Sequence, residues 1–316
     1  MGITILLLIL GFATLILGAN WLVNGASSLA KRLGISELAI GLTVVAFGTS
    51  APELVVNVVA SKNQLSEVIL GNVIGSNIFN LLLILGISGL ISPIMVQYKT
   101  VWREIPISFL AVVLLFVFAN YLPGEKSHVI GRIEGLMLLL GFAAFMFYIF
   151  RGMRTIKDES LGIKSKSLPL SFLLVLCGLA GLVVGGMLVV NRSVEIASAL
   201  GMSEKLIGLT IISIGTSLPE LATSVVAAFK KNSDLAIGNV IGSNIFNIFL
   251  ILGICGVIHP IEFSVALNTD LLILAGFTLF LFIAMFTGKK KKLDRWEALI
   301  LVVSFVAYLV FIINRN

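Results

Sequence analysis

Residues 41–93 recur without a gap at 208–260, at a constant offset of 167, and 31 of the 53 positions are identical. Gly48-Thr49-Ser50-Ala51-Pro52-Glu53 returns as Gly215-Thr216-Ser217-Leu218-Pro219-Glu220, and the ten residues Gly71 to Asn80 return unchanged as Gly238 to Asn247. Two apolar stretches alike by chance would share Leu and Val. These share Gly, Pro, Glu, Asn and Ser in order, so the chain is expected to fold as two halves built on one plan.

Those halves belong in a membrane. Of 316 residues, 58% are hydrophobic and 12% charged, with a mean hydropathy of +1.10. A soluble domain carries roughly 25% charged residues, and a chain this apolar has too few polar groups to cover a water-facing surface. A soluble enzyme is excluded. Ten apolar segments can be marked, at 3–30, 37–60, 68–91, 105–121, 131–150, 170–200, 206–229, 235–258, 270–287 and 296–314. Their length and the lack of strand-like alternation predict helices rather than a barrel. The expected fold is an all-α integral membrane protein of ten transmembrane helices. They form an N-terminal five-helix repeat over residues 1–152, a short cytoplasmic linker at 153–169, and a C-terminal five-helix repeat over 170–316. Five is odd, so the second half lies upside down relative to the first. Inverted repeats mark transporters whose site sits near the midplane at the repeat interface.

The net charge of +6 does not point to nucleic acid, because the basic residues fall between apolar runs. With the N-terminus outside, the inside loops hold 16 of the 22 Lys and Arg residues, among them Lys31, Arg32, Arg151, Lys230 and Lys289 to Lys292. This bias places the chain in the cell membrane with both termini outside, and Lys289 to Lys292 against anionic lipid headgroups. Cys177 and Cys255 lie in apolar segments and imply neither a disulfide framework nor a metal site. The run from Ile3 is too long for a secretory signal core and reads as the first span. His128 and His259 fall in outer loops, as solvated side chains. There is no HExxH and no nucleotide-binding loop, so a protease or an ATP-driven pump has no support. No enzymatic activity and no cofactor are expected.

Glu53 and Glu220 read as the acidic residues deep within spans. A carboxylate there costs about 2.5–3.5 kcal/mol on insertion scales and stays only facing the protein interior, against a cation or a proton. A structural ion pair would need a basic partner in both halves, and Arg192 is the sole intramembrane candidate, in one half only. The repeated pair therefore points to ion binding. Pro52 and Pro219 lack an N–H and break the helix near Gly48 and Gly215, where glycine eases unwinding. The freed carbonyls of the Gly-Thr-Ser stretch can then serve as oxygen ligands, although a plain kink would leave the same trace. Ser76 and Asn80 lie four apart on one helix face, mirrored by Ser243 and Asn247, and read as lining the site. The glycines of the same block, with Asn72, Asn77, Asn239 and Asn244, read as packing and interhelical hydrogen bonding. Every candidate ligand is oxygen, which suits hard cations: calcium, magnesium or sodium. Two carboxylates match one calcium or two sodium ions, and a third sodium would make an exchange electrogenic.

The paired GTSxPE and GNVIGSN motifs resemble the alpha repeats of the sodium/calcium exchanger family, within the calcium/cation antiporter superfamily, and are closest to its short prokaryotic members. The resemblance spans all ten segments and implies a secondary antiporter exchanging sodium for calcium by alternating access. It implies a calcium site made by Glu53 and Glu220 with the backbone carbonyls of Thr49 and Thr216. The implied sodium sites overlap it and add Ala46, Ser50, Ser76, Asn80, Ser213, Ser217, Ser243 and Asn247. It further implies that the first helix of each half slides across the other eight, with Gly18, Gly25, Gly181, Gly185 and Gly186 suiting such a pair. Some relatives, the potassium-dependent branch among them, carry aspartate where this chain has Asn247, which argues against potassium co-transport. The short link holds no acidic cluster of the kind that regulates animal exchangers. A proton/calcium exchanger is the alternative; a channel is disfavoured, since filters are built by rotational symmetry around a pore. The expected partners are membrane lipid and small cations, and one chain suffices.

Overall fold

The computed structural model describes residues 2–98, 100–120, 128–152, 166–201, 213–287 and 291–315. The chain opens with α1 (Gly2–Leu33), followed by a broken span, α2 (Glu37–Thr49) and α3 (Ala51–Lys62), bent by 48°. Then come α4 (Ser66–Ile91), α5 (Thr100–Asn120), α6 (Arg132–Gly152) and α7 (Leu168–Ala199). A second broken element, α8 (Ser213–Thr216) and α9 (Leu218–Phe229), precedes α10 (Ser233–Ile258), α11 (Val265–Ala284) and α12 (Arg295–Arg315). Among the described residues, eight helices are long and apolar enough to cross a membrane, and the bent pair makes a ninth. The expected segment 206–229 is described only from Ser213 onward, the rest of it lying outside the described residues, as do Lys289, Lys290 and most of the 153–169 link.

Local chemistry sets the breaks. Proline stands at the start of α3 and of α9, after Ser50 (φ −83°, ψ 4°) and Ser217 (φ −93°, ψ 6°). The third helix of each half ends because a proline follows. Ser92 (φ −142°, ψ 122°) and His259 (φ −146°, ψ 136°) are extended ahead of Pro93 and Pro260, as the proline ring requires of its neighbour. The turns after α3 and α9 share one geometry. Gln64 (φ 60°) and Lys231 (φ 58°) are left-handed, and the next amides close back onto Ala60 O and Ala227 O at 2.9 Å, a Schellman-type ending.

Burial separates core from lipid face. In α4 and α10, 72% and 78% of the apolar window is buried, against 22–39% in the other spanning helices. Those expose side chains such as Ile3, Leu140, Leu176 and Val303, as a lipid-facing helix does. The glycines of α1 and α7 bring the two backbones together: a Cβ at Gly178 would lie 2.5 Å from Leu22 N, and one at Gly18 would lie 2.7 Å from Leu182 N. These helices are tightly packed on each other.

Two short ribbons depart from an all-α chain. Strand β1 (Ile94–Met95) pairs with β4 (Lys292–Leu293), and β2 (Val129–Ile130) pairs with β3 (Ile261–Glu262), both antiparallel. Each ribbon joins the end of the third helix of one half to the start of the fifth helix of the other. Beside β2, His128 is half-buried with Nδ1 3.1 Å from Ala119 O, where the sequence reading had a solvated side chain. The ribbon of β1 and β4 lies at the end of the bundle that gathers Lys31, Arg32, Arg103, Lys230, Lys291 and Lys292, hereafter the basic end.

Candidate cation site

Glu53 lies in the first turn of α3 and Glu220 in the first turn of α9, where the helix dipole favours a carboxylate. Pro52 and Pro219 have no N–H to give, so the carbonyls of Gly48 and Gly215 lose their usual i+4 donor. Both glutamates are about 1% exposed. Neither forms a salt bridge among the described residues.

Each carboxylate is held by the other repeat. Ser50 Oγ donates to Glu220 Oε1 at 2.8 Å and lies 3.0 Å from Ser243 Oγ. Ser217 Oγ, the counterpart of Ser50, donates to Glu53 Oε1 at 3.0 Å and lies 3.0 Å from Ser76 Oγ. The second oxygens, Glu53 Oε2 and Glu220 Oε2, are buried without a hydrogen-bond partner among the described residues.

Asn80 and Asn247 extend the pattern one helical turn further along α4 and α10. Asn77 Nδ2 donates to the main-chain carbonyl of Asn244 at 3.4 Å, which turns Asn77 Oδ1 toward Asn247 Nδ2, 3.0 Å away. The mirror pair is Asn244 Nδ2 to Asn77 O at 3.3 Å and Asn80 Nδ2 to Asn244 Oδ1 at 3.1 Å. With both amide nitrogens occupied, Asn80 Oδ1 and Asn247 Oδ1 are left as buried oxygens with no partner among the described residues. Both asparagines are the second residues of π-helical turns, Phe79–Ile84 and Phe246–Leu252, a widening often found at functional positions.

The remaining candidates sit around this cluster. Thr49 is buried, its hydroxyl 3.1 Å from Asn239 Oδ1 and 3.3 Å from Ala46 O. Thr216 Oγ1 accepts from Asn72 Nδ2 at 3.2 Å. Ala46 is buried, and its carbonyl also accepts Ser50 N at 3.0 Å. Ser213 belongs to α8, but its side chain lies outside the described residues. Asn57 and Ser224, which occupy equivalent positions, were not read from the sequence. Asn57 Nδ2 donates to Glu53 O and to Asn72 Oδ1, both at 2.7 Å, and Ser224 Oγ accepts from Asn239 Nδ2 at 2.9 Å. Their place one turn after each glutamate was the available signal.

Glu53 and Glu220 are not the only buried acids. Glu104 accepts from Tyr148 Oη at 2.6 Å, Asp270 takes Tyr308 Oη at 2.9 Å and Arg315 at 3.0 Å, and Glu297 holds Asp294 N at 2.7 Å and the Thr287 hydroxyl. Those three are anchored by protein donors near helix ends. Glu53 and Glu220 differ in taking serine hydroxyls at equivalent positions of the opposite repeat, Ser217 and Ser50. Four buried oxygens, two carboxylate and two amide, form a set with no soft donor. Such a set suits a hard cation, and two carboxylates supply the charge to attract one.

Comparison with known proteins agrees with this chemistry. The family described as "Sodium/calcium exchanger protein" matches residues 3–151 and 170–314. The sodium/calcium exchanger MaX1 of Methanosarcina acetivorans is 36% identical, with 98% of each chain covered. The putative antiporter CaxA of Alkalimonas amylolytica is 38% identical, also with 98% of each covered. Among solved structures, the sodium-calcium exchanger NCX_Mj soaked with sodium and calcium superposes with a TM-score of 0.84 at 30% identity, covering 98% of both chains.

Proposed function

Since this chain belongs to the sodium/calcium exchanger family, and so is a multi-pass membrane transporter that carries cations rather than an enzyme, we propose that it exchanges sodium for calcium through the Glu53–Glu220 cluster. The observation that carries this reading is a set of four buried oxygens, without a hydrogen-bond partner among the described residues and contributed equally by the two repeats: Glu53 Oε2, Glu220 Oε2, Asn80 Oδ1 and Asn247 Oδ1.

Calcium is held by Glu53 and Glu220 with the backbone carbonyls of Thr49 and Thr216. Sodium uses the same carboxylates and adds Ala46, Ser50, Ser76, Asn80, Ser213, Ser217, Ser243 and Asn247. One calcium ion balances the two carboxylates, as do two sodium ions, and a third sodium makes the cycle electrogenic. A cation replaces the repulsion between the carboxylates by attraction, so a loaded site is favoured over an empty one while the helices rearrange. Access alternates as α1 and α7, locked together through their glycines, slide as one body over the remaining helices. Leu179 and Val190 of α7 pack at Gly48 and Gly215, so movement of α7 uncovers the two helix breaks. The transporter works as a monomer of ten spans in two inverted halves, 1–152 and 170–316 about the 153–169 link, in the cell membrane with both termini outside. The amide of Asn247 leaves no extra titratable charge for potassium coupling.

The test is sodium-gradient-driven uptake of radiolabelled calcium into proteoliposomes, with Glu53→Gln and Glu220→Gln alongside the parent. Uptake that requires opposing sodium and vanishes in both variants is the expected result. Uptake driven by a pH gradient without sodium would replace this reading with proton/calcium exchange.

A further inference from the structure

A groove of 460 Å³ lies at the basic end, between the start of α5 and the end of α6, far from the ion cluster in sequence and lined by Trp102, Arg103, Pro106, Ile107, Leu110 and Tyr148. Its walls are apolar apart from one guanidinium and one phenol. The phenol is turned away, because Tyr148 Oη donates to the buried Glu104 at 2.6 Å. Arg103 is left at the mouth, its guanidinium 5.7 Å above the Tyr148 ring, with no salt bridge among the described residues. Glu104, next to it in sequence, is buried and takes the Tyr148 hydroxyl. Trp102 is half exposed and packs edge-on to Phe282 and Phe286 at 5.6 and 5.4 Å. Beyond it Tyr98 carries the Lys291 ammonium 4.8 Å above its ring.

This is a band of aromatic side chains at helix ends, the arrangement that marks a membrane–water boundary. It presents a fixed cation above a greasy trough. A guanidinium offers paired N–H donors that match phosphate oxygens, and Arg103 makes no salt bridge among the described residues. The trough below it, along Pro106, Ile107 and Leu110, runs down the helix into the hydrocarbon layer. Phosphate above and hydrocarbon below is the chemistry of a phospholipid, and the second cation, Lys291, adds a preference for net negative headgroups.

We propose that this groove is a binding site for an acidic phospholipid, its phosphate on Arg103 and one acyl chain along Trp102, Pro106, Ile107 and Leu110. The site stands apart from the transport cycle, so its test does not depend on which ions are exchanged. Protein purified in a neutral detergent is titrated with phosphatidylglycerol, phosphatidylcholine or soluble glycerol phosphate. Thermal unfolding is followed, and lipid bound per chain is counted by native mass spectrometry. Phosphatidylglycerol is expected to raise the Tm and to add one retained lipid that phosphatidylcholine and glycerol phosphate do not reproduce. Arg103→Gln should lose that lipid and the shift, while Arg295→Gln, an exposed charge at the same end, keeps both. Equal responses of the two variants would overturn the proposal in favour of general surface charge. A shift with glycerol phosphate alone would overturn the lipid assignment, and no retained lipid in the parent would remove the site. Arg103→Lys retains the charge without the paired donors and should hold the lipid more weakly than the parent, whether or not Arg103→Gln folds normally.

Discussion

Ser50 Oγ of the first repeat donates to Glu220 of the second at 2.8 Å, and the reciprocal bond runs from Ser217 to Glu53 at 3.0 Å. Each carboxylate is therefore aimed by the half that does not contain it, and neither half can form an oriented site alone. A hydrogen bond to a charged group is worth about 1.5–3 kcal/mol. Ser50→Ala and Ser217→Ala should each weaken cation binding by roughly 10- to 150-fold, and by similar factors because their environments match. Isothermal titration of the purified variants with calcium measures both. A large loss in one variant with none in the other would contradict the crossed arrangement.

Asn77 and Asn244 act one step further from the ions. Each fixes the amide of the opposite repeat's site asparagine, and each is itself fixed by a main-chain carbonyl. Alanine at either position leaves a buried amide unsatisfied, at a cost of about 1–3 kcal/mol, and frees Asn80 or Asn247 to turn its nitrogen toward the cation. Asn77→Ala and Asn244→Ala should lower both the Tm and the sodium affinity, although neither side chain supplies a ligand oxygen. Sodium-dependent protection against thermal unfolding reports both effects in one series.

The glutamates were legible in the sequence because a carboxylate inside an apolar run is costly, and its exact repetition excludes accident. The division of labour between Asn80 as lining and Asn77 as interhelical bonding was legible from the four-residue spacing of Ser76 and Asn80, whereas the π turn at Phe79–Ile84 is announced by no residue pattern. Glu104 and Asp270 were passed over since their partners, Tyr148 and Tyr308, lie on another helix 44 and 38 positions away. The two-residue ribbons escape any periodicity argument. Their pairing is set by how the two halves meet, and Ile94 opposite Leu293 has no local cause. The helix breaks, by contrast, were legible in Pro52 and Pro219 beside Gly48 and Gly215, with a plain kink as the other reading of the same residues.

At the basic end, polar bonds tie α1 to the turn between α9 and α10. Lys230 Nζ donates to Asn24 Oδ1 at 2.7 Å, and Asn232 Nδ2 to Ser27 Oγ at 2.9 Å. Burial and the neighbouring charge of Lys166 hold the Lys230 ammonium below the usual lysine pKa, so this contact is lost at a lower pH than an exposed lysine would set. The equivalent positions of the first repeat are Asn63 and Leu65, which offer no such cation. Lys230→Ala removes about 1 kcal/mol from this closure. The amides of residues 25–33 should then exchange hydrogen about fivefold faster, while those of α4 are unchanged. Hydrogen exchange read by mass spectrometry checks the difference, and it should shrink as pH rises and the parent lysine loses its proton.

Asn247 donates through Nδ2 to Asn77 Oδ1 at 3.0 Å, and Asn77 cannot turn to donate in return because its own nitrogen is engaged by Asn244 O. An aspartate at this position would set oxygen against oxygen unless it carried a proton. Asn247→Asp should therefore fold best when protonated. The sign follows from linkage: the native state then binds a proton more tightly than the unfolded chain, so stability is greatest at low pH and falls as pH rises through the folded-state pKa. The Tm of Asn247→Asp, measured relative to the parent from pH 4 to pH 8, should decline with increasing pH. Saturating calcium should reverse part of the decline, because a divalent ion stabilises the ionised carboxylate that the asparagine network rejects. A difference in Tm that stays level with pH would mean that Asn77 does turn, and that the amide network is not the rigid frame of the site.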